Sequence, residues 1–94
     1  MNQQNIEKIK CILKNWNPLG NRKHSITDLN DYETEVEDII FNLEIDYDFP
    51  EKSITKNQLS KITKEVLNQA FNLHLTDSDC DDYSKEILNI LNEK

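Results

Sequence analysis

An all-α fold, one compact domain of about four helices, is what this sequence predicts. Two observations carry that expectation. Apolar residues recur at three- and four-residue intervals along four successive segments, the spacing of a single helix face. One Gly and two Pro in 94 residues are too few for the many tight turns of a β-sandwich or barrel. A chain of this length holds one hydrophobic core, so residues 1–94 read as a single helical domain.

The first helix, about 4–16, sets Ile6, Ile9, Leu13 and Trp16 on one face. Pro18 cannot continue it, and Gly20 can take the left-handed backbone needed just past its end. Trp16 reads as a large apolar plug for one end of the bundle. The loop that follows, 17–30, is polar and has no clear period. The second helix, about 31–45, carries Tyr32, Val36, Ile39, Ile40 and Leu43 on one stripe, and its acidic first turn suits the positive end of the helix dipole. The third, about 54–73, can be capped by Ser53 or Thr55. Leu59, Ile62, Val66, Ala70 and Leu73 line its inner face, with Leu67 and Phe71 widening it. The fourth, about 78–92, starts after Thr76 or Ser78 and presents Cys80, Tyr83, Ile87, Leu88 and Leu91.

Charge is arranged in blocks. From Asp28 to Glu51 there are ten acids and no basic residue, within a chain of net charge −7. Lys8, Lys10, Lys14, Arg22 and Lys23 form a small basic group near the start, but overall acidity and the lack of interleaved aromatics argue against nucleic acid. A solvated face is the better reading of those five. No apolar stretch reaches the roughly 18–20 residues that span a bilayer, and Met1–Asn5 lacks the basic start of a signal peptide. Cys11 and Cys80 are too few and too far apart for a disulfide framework. The expectation is a cytoplasmic protein with reduced thiols and no membrane partner.

No catalytic or metal-binding motif in the sequence is persuasive. Neither His24 nor His74 sits beside a recognisable nucleophile, and acid pairs one turn apart, such as Asp31/Glu35 and Glu33/Glu37, are common on solvated helices. Asp77-Ser78-Asp79-Cys80-Asp81 opens like a calcium loop, yet Asp82 stands where that loop needs Gly and Leu88 where it needs Glu. An acidic helix start accounts for these residues. The reading is no enzyme, no cofactor and no metal.

The acidic second helix is the informative one. Asp31, Glu35 and Asp38 fall close together on a helical wheel, with Glu33, Glu37 and Glu44 in the adjoining arc. Phe41 and Ile45, one turn apart, fall inside that acidic arc rather than on the apolar stripe. Either another helix or the long 17–30 loop covers them, or they form an apolar anchor ringed by carboxylates for a basic protein partner. On the second reading the partner-binding residues are Glu33, Glu37, Asp38, Phe41, Glu44, Ile45 and Asp48.

The block Trp16-Asn17-Pro18-Leu19-Gly20, followed by Asp28 to Glu35 (Asp-Leu-Asn-Asp-Tyr-Glu-Thr-Glu), resembles a family of small bacterial helical proteins. Members share a first helix ending in Trp, Asn or Asp, Pro, Leu or Ile, and Gly, then an acidic segment around a Tyr. Some of them look like immunity proteins that guard bacteria against contact-dependent or other polymorphic toxins. The likeness covers about residues 6–45, with Trp16, Pro18, Gly20, Tyr32 and Glu35 matching the pattern and expected to hold the loop between the first two helices. It implies an immunity protein that neutralises a cognate, basic toxin domain, a nuclease being one candidate. The alternative is a helical adaptor or regulatory module with no toxin. An enzyme using paired carboxylates with a divalent cation is a third and weaker reading.

Overall fold

The computed structural model describes residues 3–20 and 32–92. Four helices account for most of them: α1 (Gln3–Trp16), α2 (Glu33–Tyr47), α3 (Lys56–Phe71) and α4 (Asp77–Leu91). Each packs on its neighbours in sequence, and α4 closes against α1, so the helices form a ring around one core. Ile9 and Leu13 of α1, Val36, Ile39 and Leu43 of α2, Leu59 and Leu67 of α3 and Ile87 of α4 are all within 1% of complete burial. All five residues expected on the stripe of α2 are buried. No helix among the described residues is long and apolar enough to cross a membrane.

Local chemistry sets the helix ends. Thr55 caps α3 and Thr76 caps α4, each in a reciprocal box in which the hydroxyl accepts the backbone N–H three residues on. Gln58 and Asp79 return the bond by accepting the backbone N–H of Thr55 and Thr76 at 2.9 Å. Asn72 stops α3 in the left-handed conformation, φ 54°, the non-glycine residue that tolerates it best. Behind it, the Asn68 carboxamide clamps the turn into α4, donating to the Leu75 carbonyl (3.1 Å) and accepting its N–H (2.9 Å).

The end of α1 departs from expectation in one detail. Asn17, not Gly20, is the left-handed residue that ends the helix, with φ 52° and its N–H on the Leu13 carbonyl at 2.8 Å. Gly20 is also left-handed, φ 57°, three residues later. Asn17 then works twice more: its Nδ2 donates to the Gly20 carbonyl at 3.3 Å, and its Oδ1 accepts the Tyr32 hydroxyl at 3.3 Å. Tyr32 is buried against the edge of Phe71 and precedes α2 with φ 69°, so it holds a strained backbone by packing and by that hydroxyl. Leu19 is buried beside it in the core. Trp16 is half-buried and lies flat on Tyr83 of α4, centroids 4.3 Å apart, which joins the two ends of the ring.

Two further expectations need correction. Ala70 was placed on the inner face of α3 and is exposed, and Leu73 lies beyond the helix, half-buried. Leu59, Ile62, Val66 and Leu67 are buried as expected, and Ser60 and Thr63 join them on the packed face of α3. Ser60, Thr63, Cys80 and Ser84 are at most 1% exposed, and their small side chains let α3 and α4 pack closely. The acidic start of α4 is used locally as well. Asp77 pairs with Lys64 at 3.0 Å, and Asp81 takes both Lys56 at 3.5 Å and the Ser60 hydroxyl at 2.9 Å.

Candidate functional site

The residues expected to bind a partner lie on the face of α2 turned away from the core. Because α2 buries Val36, Ile39, Ile40 and Leu43, the positions a half-turn away must face outward. Phe41 and Ile45 are there, each 60% exposed, and among the described residues they are the large apolar side chains left most open to water. Nothing in the described bundle covers them. Glu37, Asp38 and Glu44 are exposed around them, with Asp48 exposed just past the helix end.

The acids are not equivalent. Glu33 is tied at 3.5 Å to Lys10 on α1, which also reaches Glu7 at 3.4 Å. Partial burial pulls the Lys10 ammonium down, but Glu33 and Glu7 together outweigh it and raise its pKa. Glu33 is thus partly committed to the α1–α2 contact. Asp48 has a solvent-exposed pair with Lys52 at 3.5 Å, the kind that contributes about 0–1 kcal/mol. Glu35 corrects the sequence reading: it was expected in the acidic arc and is only 7% exposed, near enough to Tyr32 to help burial raise the pKa of that phenol. Asp31 lies outside the described residues.

Beside the anchor, an open groove of about 280 Å³ runs between α2 and α3. Asp38 and Asn42 line it from α2, and Val66, Gln69 and Ala70 from α3. Asn42 is positioned by its Nδ2, which donates to the Asp38 carbonyl at 2.8 Å. Sequence reasoning missed Asn42, Gln69 and Ala70 because the groove depends on how two helices lie together. The exposure of Ala70, a small residue where the helix pair meets solvent, is what opens it.

Elsewhere the chemistry is local. Among the described residues, no group of three or more His, Cys, Asp and Glu side chains is placed to hold a metal ion. Asp77, Asp79 and Asp81 each have partners of their own. His74 is exposed beyond the end of α3, whereas His24, Arg22 and Lys23 lie outside the described residues. Cys11 is exposed and Cys80 buried, both as free thiols. Burial pushes the Cys80 thiol up to about 12, helped by the carboxylates of Asp79, Asp77 and Asp81. A thiol held protonated in this way is a core residue and a poor nucleophile.

No protein-family model matches the chain, and neither a curated protein nor a solved structure is detectably similar to it.

Proposed function

We propose that this protein is an immunity protein, which binds a cognate antibacterial toxin domain of basic surface through the outer face of α2. The observation that carries this reading is the joint exposure of Phe41 and Ile45 within a ring of carboxylates. Apolar side chains this exposed contribute little to the free chain but supply affinity once a partner desolvates them. The surrounding acids speed encounter with a basic surface and select partners by sign. Charge of one sign at this density also repels itself, and a basic partner would relieve that repulsion. The resemblance of the Trp16–Gly20 block to the small helical family points the same way.

The test is native co-purification from the source organism with identification of bound proteins by mass spectrometry, run beside the Phe41→Ala/Ile45→Ala variant. Recovery of a basic toxin fragment at one-to-one stoichiometry, lost with the variant, is the expected result. Replacing two central anchors should weaken the complex by at least about 2 kcal/mol, or some thirtyfold. A housekeeping protein in place of a toxin would move the chain to the adaptor class.

A further inference from the structure

We infer that the α2–α3 groove is a receptor for an arginine side chain of the partner, seated beside the Phe41–Ile45 anchor. The inference deepens the partner-binding reading of α2 and rests on it for the identity of the partner, but the chemistry of the groove stands on its own geometry. Its lining includes Asp38 and Asn42 of α2 and Gln69 of α3, residue types whose side chains carry hydrogen-bond-accepting oxygens. Asn42 spends its Nδ2 on the Asp38 carbonyl, which leaves Oδ1 as the atom open to an incoming donor. Among the described residues Asp38 has no ion pair, unlike Glu33, Asp48, Asp77 and Asp81. The apolar part of the lining is Val66 and Ala70, suited to cover a methylene stem.

That combination matches a guanidinium. Arginine carries five donors in a planar fork and no acceptor, so several separated oxygens can be satisfied at once. A lysine ammonium is a single strongly hydrated point charge and makes poorer use of oxygens spread across two helices. A second copy of this chain is a poor occupant, because it would bring two acidic α2 faces together. An anionic lipid surface is opposed by the same charge.

The experiment titrates the ¹⁵N-labelled full chain with the blocked tripeptide Leu-Arg-Leu, and separately with Leu-Lys-Leu, following amide shifts. The expected result is a set of shifts confined to Asp38, Asn42, Gln69, Ala70 and the adjoining anchor. The arginine peptide should bind roughly three- to tenfold more tightly than the lysine peptide, the net worth of one further hydrogen bond at an open site. Asp38→Asn should abolish that preference. Ala70→Leu, an exposed helix position where the fold tolerates a larger side chain, should fill the groove and remove the localised shifts. Equal affinities with shifts spread over every acidic segment, including Asp79 and Asp82, would overturn the inference, as would the absence of shifts with either peptide. Arginine binding that survives while no toxin partner is found would overturn the immunity reading alone. A toxin complex indifferent to both Asp38→Asn and Ala70→Leu would overturn the arginine site alone.

Discussion

Phe41 and Thr63 show how opposite positions on neighbouring helices can both be poorly served by the fold, for different reasons. Phe41 is 60% exposed, so truncating it removes little packing, and Phe41→Ala should change the unfolding free energy by no more than about 0.5 kcal/mol. Chemical denaturation of the free chain checks this; a large loss would mean the ring is core and not anchor. Thr63 is the converse case: its Oγ1, like the Ser84 hydroxyl, is buried without a hydrogen-bond partner among the described residues. A buried hydroxyl left unpaired carries its desolvation cost, so Thr63→Val, which keeps the shape and removes the oxygen, should stabilise the protein by about 1 kcal/mol. The same denaturation measurement reads it. Cys80 adds a pH signature. An unfolded thiol ionises near about pH 8.5, while in the fold it stays protonated until about 12. Between those values the native state binds more protons than the unfolded one, so stability falls as pH rises through that window. Cys80→Ala should remove that part of the alkaline loss, leaving the share due to Tyr32, whose pKa is also raised by burial.

At the scale of elements, what the sequence made legible was whatever one helix decides alone. The stripe of α2 and the position of Phe41 and Ile45 off the stripe follow from spacing within a single segment, and each cap has two candidates in the sequence, of which Thr55 and Thr76 serve. The departures arise where two segments meet. Asn17 displaced Gly20 as the residue that ends α1 because its side chain can also bind the loop and Tyr32, contacts that no spacing rule contains. Glu35 left the acidic arc because that side of α2 turns inward near Tyr32. Ala70, near the end of α3, stays exposed although Leu59, Ile62, Val66 and Leu67 of the same face are buried, because it lies where the α2–α3 groove opens to solvent. The clamp at Asn68 belongs to the same class. It makes two hydrogen bonds to Leu75, the residue before the α4 cap, and both are partly buried. Asn68→Ala should therefore cost about 1–3 kcal/mol, whereas Asn89→Ala on the exposed face of α4 should cost far less. Amide hydrogen exchange would show the loss first at the start of α4. Equal protection in both variants would mean the turn is held by the Thr76 cap alone.

For the whole molecule the governing quantity is charge, and two opposing effects decide how salt acts on it. The net charge is −7, and α2 presents its exposed acids with no basic residue on the same helix. Glu37 and Glu44 are seven residues apart on one helix, about 10 Å along its axis. Unscreened, like charges at that distance cost roughly 0.4 kcal/mol per pair in water, and α2 contains several such pairs. Against this stand the cross-helix ion pairs Lys10–Glu33, Lys56–Asp81 and Lys64–Asp77, which salt weakens. Those pairs are 3.0–3.5 Å contacts, and contact pairs are screened less than charges a Debye length apart, about 10 Å at 0.1 M. The repulsion should therefore fade first, and the melting temperature of the free chain should rise between low and moderate salt. A net gain near 1 kcal/mol corresponds to about 4–8 °C for a domain of this size. Glu37→Gln/Glu44→Gln should melt higher than the parent at low salt and respond less to added NaCl. Differential scanning calorimetry of both proteins across NaCl concentrations reads this directly. A melting temperature that falls with salt in both would show that the cross-helix ion pairs dominate, and that the acidic face of α2 carries no strain for a basic partner to relieve.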